Sequence, residues 1–439
     1  MELEHLIRLK SPLSVQLEVT PECNNLCKHC YNSWRPNACS TECLKQDKEN
    51  DKYLEKIVTS LINSEIFNVV LTGGEPLLNK GMLRKIIPRF VENNVGVNMN
   101  SNLTFLDKRY ARELKEMGLN SVLTSVMHFK GEIHDKISQN KGSYERALEG
   151  IKNARQAELK VTVNMVTTQE TVEDVYRTGR YLYENFDING FCATRVNASP
   201  GSQEIGVMPI SKKGLKLMLD QLIQLKEEIN IRVDSLCPIP HCFDEDWEKY
   251  SMFYNRYCNA GRTFVSVSSK GEVYACQHTP LHYGNILNED FGEIFKKMQD
   301  WKQNKYLPKK CSNCKEVEYC GGGCREFALN KNGSRDSVDP YVGAHIPKRN
   351  VVRKETITEN GTYHFNDNLK CREESFGATI VKEKNVTFLT DLGYEFCKRF
   401  YSKDFKLKDA EKDMNLPTEN VKAFLEHLYY KLMIIDVRR

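Results

Sequence analysis

The sequence predicts an α/β fold: a partial, open (β/α)6 barrel, then a cysteine-rich segment, then a small α+β module of winged-helix proportions. Three observations carry that prediction. From about residue 13 to 235, short β-branched runs alternate with longer amphipathic ones, the pattern of βα units on a parallel sheet. Sixteen cysteines are bunched at short spacings. Beyond a polar, basic stretch at 347–358, three strand-like runs precede three helical ones.

In order, six strands are expected: Ser14 to Val19, Asn68 to Thr72, Val95 to Asn100, Ser121 to Val126, Lys160 to Val166 and Asn189 to Thr194. Helices are expected near 51–63, 80–93, 107–117, 143–157, 170–186 and 212–227, where apolar residues recur at three- and four-residue spacing,. Six repeats are too few to close an eight-stranded barrel, and the chemistry is expected at the carboxyl ends of the strands. The domain boundaries read as 1–235 for the barrel, 236–346 for the cysteine-rich segment, 347–364 for a linker and 365–439 for the last module. In that module, strands are expected around 369–373, 377–382 and 385–389, and helices near 390–400, 406–413 and 418–434. The last helix places Val421, Phe424, Leu425, Leu428 and Leu432 on one face,.

The 439 residues are 40% apolar and 28% charged, which excludes intrinsic disorder,. Lys and Arg number 63 against 59 Asp and Glu, so no global basic field faces a nucleic acid or a membrane surface,. Met1 to Lys10 lacks the apolar core of a secretory signal, and about 18 apolar residues nowhere run together,. A cytoplasmic protein with no membrane and no nucleic-acid partner is expected. In a reducing compartment, bunched cysteines point to metal rather than disulfides.

Cys23, Cys27 and Cys30 follow the first strand in a CxxxCxxC pattern, with Tyr31 next. Three thiolates in one loop hold three irons of a 4Fe-4S cube and leave the fourth open to a ligand. The alternatives are a zinc loop with a distant fourth ligand such as Cys39 or Cys43, and plain buried thiols. The second strand ends in Thr72-Gly73-Gly74-Glu75-Pro76, where the glycines let backbone approach closely with no Cβ in the way,.

With these motifs together, residues 13–235 resemble the radical S-adenosylmethionine (radical SAM) enzymes. The resemblance implies a TIM-like partial barrel and a cluster whose open iron chelates the methionine part of SAM. Reduction through the cluster then cleaves SAM to a 5′-deoxyadenosyl radical. Gly73, Gly74 and Glu75 would contact SAM, joined by Asn100, Ser125, Asn164 and Arg195 at the carboxyl ends of strands three to six. Many peptide-modifying relatives carry an acid two positions after the strand-four serine. Here that position is Met127.

Cys258, Cys276, Cys311, Cys314, Cys320 and Cys324 fall in one stretch, with a hairpin expected over Thr263–Val267 and Gly271–Tyr274. This region resembles the SPASM extension of radical SAM enzymes, which implies two auxiliary 4Fe-4S clusters and three in all. Carried over, the first takes Cys258, Cys276 and Cys324, and the second takes Cys311, Cys314 and Cys320. Each is one ligand short. Cys242 or Cys237 is available for the first, with Cys242 preferred. The family places a final cysteine shortly after an Asp-Pro pair, but this chain reads Asp339-Pro340-Tyr341-Val342-Gly343. Asp339, His345 or Cys371 could substitute, or the iron stays open. Cys39, Cys43, Cys192 and Cys397 read as small apolar residues.

The last module is similar to PqqD-like peptide-recognition domains. The resemblances together imply a maturase that forms a crosslink, thioether or epimer in a ribosomally made precursor peptide. The leader of that peptide would be bound by the last module, and a flavodoxin- or ferredoxin-like protein would donate electrons. The alternatives are a sulfatase-type protein-residue maturase and, in another class, a zinc-ribbon winged-helix regulator on nucleic acid.

Overall fold

The computed structural model describes residues 9–31, 48–197, 206–254, 256–344, 357–383 and 385–437. Cys39, Cys43, His345 and most of the expected linker lie outside the described residues. The chain divides into two compact units, Ser11–Lys348 and a second made of Met1–Lys10 with Arg349–Arg439.

The larger unit is built on one sheet. Its parallel strands are β1 (Ser14–Thr20), β2 (Asn68–Gly73), β3 (Gly96–Asn100), β4 (Ser121–Ser125), β5 (Lys160–Thr167), β6 (Gly190–Arg195) and a short β7 (Arg232–Asp234) that the pattern did not reveal. Between and after them run α1 (Lys48–Asn63), α2 (Lys80–Glu92), α3 (Lys108–Glu116), α4 (Gly131–Ser138), α5 (Ser143–Gln156), α6 (Val175–Phe186) and α7 (Lys212–Ile229). Met82, Leu83, Ile86, Ile87 and Phe90 of α2 are fully buried, the stripe that three- and four-residue spacing produces. Asn79 caps that helix by accepting the Met82 N–H at 3.0 Å,.

The expected hairpin is present as β8 (Phe264–Val267) and β9 (Glu272–Tyr274), and β10 (His282–Asn285) extends it. It is not a separate layer. β8 pairs parallel with β1, from Ser14 opposite Phe264 to Leu17 opposite Val267. The sheet therefore runs β10-β9-β8-β1-β2-β3-β4-β5-β6-β7 and stays open. Pairing with β8 keeps β1, whose Val15, Leu17 and Val19 are wholly buried, from being an exposed edge. Glu18 fixes the hairpin turn by accepting the Ser269 N–H at 3.2 Å and hydroxyl at 3.0 Å. Further along lies the helix α8 (Arg325–Asn332).

In the second unit, β11 (Tyr363–Phe365) precedes an antiparallel meander of β12 (Lys370–Glu374), β13 (Gly377–Lys382) and β14 (Asn385–Thr390). Helices α9 (Asp391–Phe400), α10 (Leu407–Met414) and α11 (Thr418–Tyr430) follow, and β15 (Ile434–Asp436) returns to pair with β11. The expected last helix is thus shorter. Leu432 has φ +58 and is 53% exposed, so it leaves the apolar face that Val421, Leu425 and Leu428 keep. Lys10 belongs here rather than with the barrel: its N–H donates to Glu374 Oε2 at 3.0 Å, and Glu374 forms a buried ion pair with Arg372 at 2.7 Å.

Candidate functional site

The cysteine triad sits in the loop leaving the carboxyl end of β1. Hydrogen bonds that spare the sulfurs hold this loop on two sides. On one side, Asn24 Oδ1 accepts from Asn102 Nδ2 and Asn24 Nδ2 donates to Thr104 Oγ1, both at 2.9 Å. On the other, the Leu26 and Lys28 N–H groups donate to Ser138 and Ile137 carbonyls of α4. Asn140 Nδ2 reaches both Asn24 O and Asn25 Oδ1. The Cys30 N–H closes a turn onto Cys27 O at 3.0 Å.

Gly73 and Gly74 serve this loop. A Cβ at Gly73 would stand 2.2 Å from Thr20 O, and one at Gly74 would stand 2.0 Å from Glu22 O. Those carbonyls accept the Gly74 and Glu75 N–H groups at 2.8 and 2.7 Å. The close approach that glycine permits is therefore made by the backbone just before Cys23. Glu75 is fully buried, and protein donors reach both its oxygens: Leu77 N–H and Ser101 hydroxyl at Oε1, Asn102 N–H at Oε2. Burial pushes its carboxyl up to about 7, against the pull of those hydrogen bonds,. It ties the end of β2 to the turn after β3.

Asn100, Ser125 and Asn164 lie toward the carboxyl ends of β3, β4 and β5, and Ser125 and Asn164 are register partners. Asn164 Oδ1 accepts from Thr194 of β6 at 2.7 Å. On the same face, nearer the amino ends, Ser14, Asn68, Asn98 and Ser121 form a continuous side-chain ladder at 2.7–3.2 Å. Met127 is buried, and its N–H donates to His134 Nδ1 at 3.1 Å.

Arg195 stands apart from this group. Side chains alternate along a strand, so Arg195 shares the face of Phe191 and Ala193 rather than that of Thr194 and Asn164. The residue is 2% exposed, and its guanidinium pairs with both oxygens of Asp339 at 3.0 and 2.7 Å and donates to Pro238 O. Phe327 and Tyr341 sandwich it at 4.5 and 4.6 Å. Asp339 also accepts the Cys324 and Tyr341 N–H groups. The expected SAM contact and the expected spare iron ligand are thus bonded to each other.

The later cysteines fall into two groups. Cys324 lies within electrostatic reach of Cys237 and Cys258, and Cys276 within reach of Cys258 and Cys324. Cys311 and Cys320 feel Cys242 instead, and Cys311 also feels Cys314. The preference for Cys242 beside Cys258 is therefore corrected: Cys237 stands there. Pro238 and Pro240 supply the reason, since a residue before proline is held extended. That run ends in a turn closed by the Phe243 N–H onto Pro240 O, which carries Cys242.

A family model of the radical SAM superfamily matches residues 17–182, and one for the iron-sulfur cluster-binding SPASM domain matches residues 258–315. The chain carries a radical SAM domain and a SPASM domain, and it is an enzyme. It is similar to an AdoMet-dependent heme synthase of Methanosarcina barkeri, 24% identical over 75% of this chain and 96% of the relative. A PqqA peptide cyclase of Granulibacter bethesdensis is 22% identical over 80% of this chain and 92% of its own. Among solved structures, Streptococcus suis SuiB bound to its precursor peptide SuiA superposes with a TM-score of 0.62 at 16% identity, over 78% of each chain. Native anSMEcpe with bound AdoMet gives 0.58 at 19% identity, covering 75% of this chain and 94% of that one. These likenesses establish the fold.

The donor sets of this radical SAM enzyme fit iron-sulfur clusters. Burial raises the Cys237, Cys276, Cys311 and Cys324 thiols and pushes Cys320 up to about 11; neighbouring thiols add to the rise. A positive iron core releases those protons and cancels the repulsion between thiolates. Among the described residues no three His, Cys, Asp or Glu side chains converge on one point as a single ion requires,. Cys192 and Cys397 are buried, with Cys397 within electrostatic reach of Cys371.

Two features carried no pattern in the sequence. The Tyr31 hydroxyl accepts from Gln16 Nε2 at 3.2 Å and bonds Thr72 Oγ1 at 3.3 Å, while its ring lies 5.3 Å from that of His278. The triad loop therefore touches the SPASM segment just after Cys276. His29, His134 and His278 are each lowered to about 4, chiefly by burial.

Proposed function

We propose that this radical SAM enzyme modifies a ribosomally made precursor peptide, held through its leader by the second compact unit. The observation that carries the reading is the meander of β12, β13 and β14 followed by three helices, the layout of PqqD-like modules. Such modules recognise an extended peptide by strand addition, in which main-chain hydrogen bonds supply affinity. Relatives named PqqA peptide cyclase and mycofactocin maturase MftC support the reading, as does the likeness to peptide-bound SuiB.

Cys23, Cys27 and Cys30 would hold the reducible cluster, with SAM at the iron they leave open. That pair supplies a hydrogen-abstracting radical when bound and reduced. This chain's own residues orient and enclose it. Asn24, Asn140 and the Gly73-Gly74 turn fix the loop, and Asn100, Ser125 and Asn164 offer polar groups at the carboxyl ends of the strands. A flavodoxin- or ferredoxin-like protein would deliver electrons, and the product would be a crosslink, a thioether or an epimer.

A second reading, chemistry on a porphyrin, is favoured by the relatives named heme synthases. About a quarter of this chain lies outside the match to the first of them, which supports an added peptide-binding role. The test is mass spectrometry after anaerobic incubation with SAM, dithionite and the short peptide encoded beside the gene. Loss of two hydrogens, or deuterium uptake from deuterated water, is expected together with deoxyadenosine. An untouched peptide alongside a converted porphyrin would overturn the reading.

A further inference from the structure

We infer that Cys242 is the fourth ligand of the cluster held by Cys311, Cys314 and Cys320, taking the place of the cysteine absent after Asp339-Pro340. The inference rests on the iron-sulfur reading of this segment and goes beyond it, because nothing in the spacing of the chain assigns Cys242 to that group.

Four observations meet at this point. Cys242 lies within electrostatic reach of Cys311 and Cys320, and Tyr254 feels both Cys242 and Cys320. A turn closed by the Phe243 N–H onto Pro240 O presents His241 and Cys242 together, and the His241 N–H donates to Cys320 Sγ at 3.4 Å. His241 Nδ1 lies 3.4 Å from Glu316 Oε2, in the segment between Cys314 and Cys320. Most telling is Gly343, in the stretch where the family carries its final cysteine. A Cβ at Gly343 would fall 1.8 Å from Cys242 O, and Lys310, next to Cys311, donates to Gly343 O at 3.1 Å. The backbone bearing Cys242 thus occupies the room that a side chain at 343 would need. Glycine at one position and cysteine at the other are two halves of one substitution.

Two competing donors are otherwise engaged. Asp339 holds Arg195 and two backbone N–H groups, and the Cys371 thiol bonds the Tyr394 hydroxyl. Four thiolates close the cube, so its irons are not available to a substrate and the cluster acts by electron transfer or as a structural staple. A fully ligated second cluster therefore does not separate a peptide maturase from a sulfatase-type one.

The test uses the full chain with Cys23, Cys27 and Cys30 replaced by Ala, reconstituted anaerobically with iron and sulfide. About eight irons per chain and two overlapping signals in paramagnetic resonance after dithionite are expected. Mild ferricyanide should produce no 3Fe-4S signal, since neither cube has a labile corner. Adding Cys242→Ala should either remove about four irons or produce that 3Fe-4S signal on oxidation. Cys242→Ser, which keeps the volume and offers oxygen, should retain iron and shift one reduced signal, while Cys237→Ser should shift the other. Unchanged iron and unchanged spectra in both Cys242 variants would overturn the inference, as would a 3Fe-4S signal with Cys242 intact. A triad-free protein that binds no iron would instead sink the reading beneath it.

Discussion

The loop of Cys23, Cys27 and Cys30 and the field from Cys237 to Cys324 differ in what holds them. Asn24, Asn102, Thr104 and Asn140 and the carboxyl end of α4 keep the loop in place without using a sulfur. The field has short helices, turns and three short strands, and its cysteines are spread over several of them. A site that leaves an iron open must be shaped by the protein, because three ligands alone do not fix where a fourth partner binds. A closed site needs less, since four ligands staple the chain themselves.

Three experiments press on that contrast. The largest effect is expected from Cys27→Ala: deoxyadenosine formation should fall to background and iron by about a third, while far-UV dichroism stays unchanged because the loop has its own scaffold. Collapse of the fold would break the contrast. Next is Arg195→Met, which leaves Asp339 buried without its cation. A loss of about 3–5 kcal/mol is expected in urea unfolding, with iron lost from the group containing Cys324, whose N–H Asp339 accepts. An unchanged midpoint would show that the field does not depend on its link to β6.

The smallest effect concerns Glu75, which joins β2 to the turn that bears Asn102. Its carboxyl is raised from 4.5 to about 7, so the folded chain holds the proton more tightly than the unfolded one. The destabilisation is absent below about pH 4.5, grows as pH rises and is complete above about pH 7, reaching up to about 3 kcal/mol. Glu75→Gln should flatten the melting temperature across that window. A variant as pH-dependent as the parent would remove Glu75 as the cause.

Much of the fold was legible because its signals are local. Asn68–Gly73 and Lys160–Thr167 stand within a residue of their expected ends, since β-branched runs bounded by turn residues mark strands well,. β7, β11 and β15 were missed: three residues are too few to show a period. Arg195 was assigned to the SAM site for its place at a strand end, although its alternation with Thr194 already put it on the other face. The Cys237-Pro-Ile-Pro run likewise carried a usable signal, extension, that separates its cysteine from Cys242.

What the sequence alone determined is the set of elements and the kinds of ligand, because period, turn residues and short cysteine spacings are properties of neighbouring residues. Only the tertiary structure decided that β8 lies against β1, that Arg195 neutralises Asp339, that Gly73 and Gly74 yield to the backbone before Cys23, and that Cys237 and Cys242 part company. Each of these depends on which distant segments share one small volume, and packing settles that for the whole chain at once.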